Sequence, residues 1–561
     1  MEASNFSLLL LFFFIFTLSQ TSIIATKKSY IVYLGSESSS SLDPFSLSGH
    51  SKQVTTFHYD LLGSLLGSKK MAEEAIFYSY TRSFNGFAAK LEEKEAADLA
   101  RNPKVISVFE NKARKLHTTR SWNFLGVEND VGIPSNSIWN AAKFGQDIII
   151  ANMDTGVWPE SKSFSDEGYG PVPSKWRGIC QTDSTFHCNR QFCGEGTLDP
   201  MKVKGKIVIC QTGEIEGVDK SYQAARAGAV GVIVANDIEK GDEIYPQLHF
   251  LPASDITNTD AQLLQTYLKS TTNPMAHLTK VKTQLNIKPA PVIATFSSRG
   301  PNPISPSILK PDIIAPGVNI LASYPTGNAP SLSSNDRRRI PFNVISGTSM
   351  SCPHVAGIAA LLKSIHPNWS PAAIKSAIMT TAKTRGNNLQ TILDSTKLKA
   401  TSYAYGAGLV YPNNAMDPGL VYDTTVDDYL NFLCARGYNA MEIKKFYAKP
   451  FSCVKSFKVT DLNYPSISVG KLKIGAPVTI NRRVKNVGSP GTYVASVKAS
   501  PGVAVSVEPS TLQFSNVDEE KAFKVVLQNT GKVKRGDVFG TLIWSDGKHF
   551  VRSPITVHLG S

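Results

Sequence analysis

The thirteen residues from Ile345 to Gly357 (Ile-Ser-Gly-Thr-Ser-Met-Ser-Cys-Pro-His-Val-Ala-Gly) constrain this chain most, because they pass within one turn from glycine to helix. Gly347 and Thr348 read as a tight approach, and Ser349 falls in the first turn. Ile358, Leu361, Leu362 and Ile365 then repeat at the spacing of one buried helix face. A serine so placed meets the unsatisfied N–H groups and the positive dipole end of the helix, which favour a developing oxyanion. It is also where an ordinary Ser/Thr cap stands, and for Gly-Thr-Ser-Met alone the cap is the commoner case.

The whole string tips that balance, because it resembles the serine block of the subtilisin-like (subtilase) serine proteases in their plant form. Other blocks agree in order. Residues 147–160, Asp-Ile-Ile-Ile-Ala-Asn-Met-Asp-Thr-Gly-Val-Trp-Pro-Glu, resemble the family's aspartate block, read as an apolar parallel-type strand delivering Asp154 at its C-terminal end. Trp176–Cys180, Thr295–Pro301, Lys310–Gly317 and His366–Pro371 resemble further blocks, so the likeness runs over nearly the full chain. It implies peptide-bond hydrolysis with Ser349 as nucleophile, Asp154 as the orienting carboxylate, and a histidine that takes and returns the proton.

That histidine is missing from the expected place. In the family it lies downstream of the aspartate in a Gly-His-Gly-Thr-His type string, and an oxyanion-hole asparagine follows in a Gly-Asn-Ser-Gly type string; neither occurs here. Of the ten histidines, His50, His58 and His117 precede the presumed mature enzyme, and His549 and His558 lie in a terminal β-rich region. His249 and His277 fall in what reads as an insertion, and His354 and His366 belong to the serine helix and its far end. His187 alone sits between Asp154 and the insertion, without flanking glycines, and reads as a surface-loop residue. No catalytic histidine is identified.

The gap falls at Arg190–Gln191, where Cys188-Asn189-Arg190, which leads in the family toward the histidine block, runs directly into Gln191–Pro200, the entrance of a protease-associated domain. Of the 194 residues between Asp154 and Ser349, the 100 from 191 to 290 read as that insertion, which leaves 94 for the core. A doubly wound sheet needs repeated strand–helix units of roughly 30 residues each, so several are missing. In subtilisin, loss of the histidine costs about 2 × 10⁶ in turnover, and loss of the oxyanion asparagine about 10²–10³. The expected chain is therefore a protease by family and inactive in this form; the alternatives are a non-catalytic secreted binding protein or a splice or gene-model truncation.

The domain layout expected is multidomain. Residues 1–25 read as a signal peptide, since the apolar run Leu8–Leu18 is too short to span a bilayer, and no membrane segment is expected. Residues 29–117 resemble an inhibitory α+β propeptide, with His117-Thr118 as the processing junction. Residues 118–455 form the subtilisin-like α/β parallel-sheet core, incomplete and interrupted by 191–290; residues 456–561, rich in short alternating runs, read as an all-β fibronectin-like sandwich.

Composition excludes several classes. At 561 residues, 42% apolar and 19% charged, the chain is globular rather than disordered or fibrous. The net charge of +14 is dispersed and carries no recognised nucleic-acid motif; Arg337-Arg338-Arg339, the one tight cluster, reads as a solvated turn. Affinity for acidic cell-wall polymers is one use of that charge. Substrates would be proteins or peptides, and the chain's own propeptide is its other expected partner. Seven cysteines suit an oxidising, extracellular compartment, with Cys180/Cys188, Cys193/Cys210 and Cys434/Cys453 as sequence-local candidate pairs and Cys352 left over. No metal or cofactor is expected, because no clustered Cys/His spacing occurs.

Overall fold

The computed structural model describes residues 27–35, 47–81, 85–111, 120–153, 158, 160–165, 198, 200–212, 216–245, 247–279, 284, 286–331, 333, 336–445, 447, 449–533 and 535–560. The chain divides into two compact units, Met1–Leu116 and His117–Ser561.

In the first unit, β1 (Lys28–Gly35), β2 (Ile76–Tyr80), β3 (Asn85–Leu91) and β4 (Ser107–Glu110) form an antiparallel sheet in the order β2-β3-β1-β4. Helices Leu47–Leu66 and Glu93–Ala100 complete a split βαβ arrangement. Alternation in the strands explains the core: Val32, Phe87 and Leu91 point inward against Leu62 and Leu99, all of them almost fully buried. The long helix was not legible in the sequence.

The second unit opens with short helices Ser121–Phe124 and Ile138–Ala141. Residues 148–153 follow, and here expectation and structure differ. Ile148–Ala151 form no strand, and Ile149, Ile150 and Met153 are exposed by 45%, 51% and 97%. An apolar parallel strand is stable only between neighbours that cover both faces, and no strand among the described residues pairs with this stretch.

Next comes a small α/β body. Strands β5 (Ile207–Gln211), β6 (Gly231–Ala235) and β7 (Ala253–Ile256) pair in parallel in that order, with helices Gly217–Arg226 and Asn258–Ser270 between and after them. It is fastened to the core by Tyr245 OH against Thr295 Oγ1 (2.7 Å), by the Thr295 amide donating to Glu243 (2.7 Å), and by Ser333 donating to Asp219 (2.6 Å). Arg338 is not in a solvated turn as expected: it donates to the Leu248 and His249 carbonyls and to Asp336, whose side chain is fully buried. Burial alone would raise the Asp336 carboxyl, but hydrogen bonds from Arg338 and Ser331 outweigh it and hold it below the usual carboxylate range. Arg337 and Arg339 remain exposed.

Between this body and residue 410 the described core holds one two-stranded antiparallel pair, β8 (Ile320–Ser323) with β9 (Phe342–Ile345), and isolated parallel bridges Val292–Leu393 and Ile314–Leu409. No extended parallel sheet occurs there among the described residues. The core is helical instead: Ile358 and Leu362 of helix Thr348–Ile365 pack with Ile374 and Ile378 of helix Pro371–Thr380 and with Leu125, Ile138 and Ile293.

The C-terminal sandwich is well defined. One sheet runs β10 (Leu420–Val421), β12 (Val478–Asn486), β16 (Glu520–Asn529), β14 (Val503–Glu508); the other runs β11 (Ile467–Lys473), β18 (Phe550–Gly560), β17 (Gly536–Ser545), β13 (Gly491–Ala499), β15 (Thr511–Phe514). Trp544 fills the space between sheets, fully buried and edge-on to Phe523 at 5.1 Å. Edge strand β10 comes from the preceding segment, outside the range read as sandwich.

Candidate active site

The serine block forms helix Thr348–Ile365, as its apolar spacing requires, with Gly347 at the cap and Pro353 within. Ser349 is the second helical residue and is exposed. The close approach is not on the β-carbon side of Gly347, where an added β-carbon would meet the Met350 sulfur at 3.5 Å and the Ser349 nitrogen at 3.8 Å, ordinary contacts. It lies at Gly317, whose added β-carbon would come within 2.2 Å of Ser351 Oγ and 2.8 Å of the Gly347 carbonyl oxygen. The Lys310–Gly317 block is thus the cradle of the serine turn. Gly347 N–H donates to Gly317 O (2.8 Å), Ser351 Oγ–H to Ala315 O (3.0 Å), and Asn319 N–H to Ser346 Oγ (2.9 Å). The order Ala-Pro-Gly just upstream was the available signal, and its packing role was missed.

Asp154 lies outside the described residues. Its near neighbour Asn152 does not: Cys352 Sγ is 3.7 Å from Asn152 Oδ1, so the chain leading to the aspartate reaches the first turns of the serine helix.

No described histidine hydrogen-bonds to Ser349. His354 is five residues on, about 140° round the helix; its Nδ1 donates back to Met350 O (2.8 Å), and its buried Nε2 makes no hydrogen bond among the described residues. His366 donates to Met416 O (2.8 Å) and stacks on Trp369 at 3.7 Å. His249 faces Asp255 at 3.3 Å within the α/β body, and His277 is exposed. His549 and His558 face Asp546 and Asp537 in the sandwich, and His58 contacts Asn85 in the first unit. His187 lies outside the described residues, as do His117, Thr118, Cys180, Cys188 and Cys193.

Of the cysteine pairs, Cys434 and Cys453 form a disulfide with Cα atoms 5.9 Å apart. Cys210 is buried in β5, and Cys352 is exposed. Among the described residues no helix is long and apolar enough to cross a membrane.

The chain belongs to the subtilase family of serine peptidases and is multidomain. The family model described as Subtilase family matches residues 161–408, Peptidase inhibitor I9 matches 29–117, and Fibronectin type-III domain matches 461–557. The subtilisin-like protease SBT5.3 of Arabidopsis thaliana is 36% identical over 778 residues, covering 99% of each chain. SBT5.4 of the same plant is 37% identical over 747 residues, covering 96% of this chain and 95% of its own, and a subtilisin-like protease of Glycine max is 36% identical over 784. The alignment with SBT5.3, at 778 positions, exceeds the 561 residues of this chain by 217.

Proposed function

We propose that this chain is by descent a secreted, cell-wall serine endopeptidase with Ser349 in the nucleophile's place and Asp154 in the orienting carboxylate's place, and that it does not itself cleave peptide bonds. The observation that carries this reading is an exposed Ser349 with no histidine bonded to it among the described residues. A hydroxyl without a base to take its proton is a weak nucleophile at neutral pH. The excess of 217 aligned positions supports the absence of a segment that relatives possess. So does the bare apolar stretch Ile149–Met153, which reads as a sheet strand without its neighbours.

On this reading the parallel three-stranded body is a protease-associated insertion over 191–290, the missing segment joined at Arg190–Gln191, and residues 456–561 are the fibronectin-like domain. The I9-like region would remain attached, since cutting at His117–Thr118 needs an active protease. A splice or gene-model truncation is favoured over a dedicated binding role, because a chain kept only for binding would be free to lose Ser349 and Asp154. Sequencing the transcript across the Arg190–Gln191 codons tests this. An intervening exon encoding a Gly-His-Gly-Thr-His string restores the enzyme; a continuous, secreted junction transcript leaves the binding reading standing instead.

A further inference from the structure

Two imidazole rings meet at the junction between the core and the sandwich. The strap Met416–Gly419 leads from the core into β10, and Val487 N–H donates to its Gly419 carbonyl (2.9 Å). His366, which ends the serine helix, donates to Met416 O at 2.8 Å. His549, at the β17–β18 hairpin, faces the next residue: its buried Nε2 lies 3.0 Å from Asp417 Oδ2, an ion-pair separation without the alignment of a hydrogen bond, while its Nδ1 is hydrogen-bonded to Asp546 Oδ2 at 2.7 Å. The ring is 8% exposed. Gly419 closes over it, at φ +77°, where an added β-carbon would lie 2.8 Å from the His549 ring.

Carboxylates only accept hydrogen bonds, and a neutral imidazole has one N–H. With an ionised aspartate beside each nitrogen, a neutral ring bonded through Nδ1–H to Asp546 leaves its Nε2 lone pair facing the Asp417 carboxylate, whereas an imidazolium sets positive charge against both. We propose that Asp417, His549 and Asp546 form a protonation-operated latch that fastens the sandwich to the strap at the end of the serine helix, closed while His549 is an imidazolium and loosened when it loses its proton.

The ionisable groups facing the ring are Asp546 and Lys548 from its own hairpin, Asp417 from the strap, and Tyr493 OH from β13 at 3.4 Å. Lys548 Nζ also reaches Asp417, at 2.9 Å, which keeps that carboxylate charged and offsets part of the second negative charge. Burial alone would lower the His549 pKa; the hydrogen bond to Asp546 and the negative charges of Asp417 and Asp546 outweigh it and raise it above its ordinary value. The latch therefore contributes fully below the unfolded value of about 6.5, and its contribution is lost as pH rises through the higher folded value.

The test is amide hydrogen exchange on the full chain at pH 5.5 and pH 8, read as a protection factor at Val487, in the native sequence and in His549→Gln. Protection is expected to fall at least about tenfold between the two pH values in the native chain, and to be flat in His549→Gln. Equal protection at both pH values in the native chain, or the same fall in the variant, overturns the latch. Because the variant could fail to fold, an NMR titration of the native His549 ring stands beside it. An apparent pKa above about 6.5 is required; a value at or below that overturns the latch.

Discussion

Gly317 and Ser351 are in such close contact that a β-carbon on the glycine would lie 2.2 Å from the serine Oγ, with the Gly347 carbonyl oxygen only 2.8 Å away on the same side. One neighbour is a hydroxyl bonded to Ala315 O and the other is backbone, so relief means breaking that bond and shifting the main chain. Gly317→Ala is expected to lower stability by about 1–3 kcal/mol and to loosen the serine turn. Calorimetry on the full chain checks the first part, and faster amide exchange at Gly347, whose N–H bonds to Gly317 O, checks the second.

Cys434 and Cys453 close a loop of sequence separation 19. A cross-link of that length restricts the unfolded chain by about 3 kcal/mol. Cys434→Ser with Cys453→Ser is expected to lower the unfolding temperature, as is mild reductant. Reductant should have no further effect on the double variant, and a further fall would point to another bridge.

Asp428 caps helix Val426–Ala435 and pairs with Arg483 of β12, which also reaches Glu520 at 3.0 Å. Burial alone would raise the Asp428 carboxyl, but hydrogen bonds from Arg483 and Thr425 hold it below its usual range. A carboxyl lowered in the folded state stabilises above its unfolded pKa of about 3.9, and that contribution is lost as pH falls through the folded value. Asp428→Asn is therefore expected to cost about 2 kcal/mol near neutrality and to flatten the acid limb below about pH 4, measured by denaturant titration at several pH values.

Ile149, Ile150 and Met153 are exposed apolar residues of a stretch that forms no strand. Replacing all three by serine is expected to cost about 1 kcal/mol or less at each isoleucine and almost nothing at Met153, because the isoleucines are only half covered and Met153 is exposed. Binding of a hydrophobic dye should fall. A large loss of stability would mean that these side chains are buried in the protein as it exists, and that the sheet is intact.

Legibility followed how local each element's stabilisation is. Val478–Val484, Tyr493–Val497, Val503–Val507 and Phe523–Leu527 were readable as strands because alternation alone decides which side chains meet Trp544. The serine helix was readable from its apolar spacing for the same reason. Ile148–Ala151 misled, since an apolar run becomes a strand only when neighbouring strands pair with it. The bonds of Arg338 to Leu248 and His249, the Gly317 cradle and the Asp417–His549 contact were not legible: each joins residues far apart in sequence, and no period marks them.

A fluorophosphonate probe applied to the full chain tests most directly whether Ser349 is an activated nucleophile. The expected result is labelling no greater than that of Ser349→Ala, at a pH where an intact serine peptidase reacts within minutes. Specific labelling of Ser349, abolished by replacing a histidine such as His187→Ala, would contradict it and mean that the base is present after all.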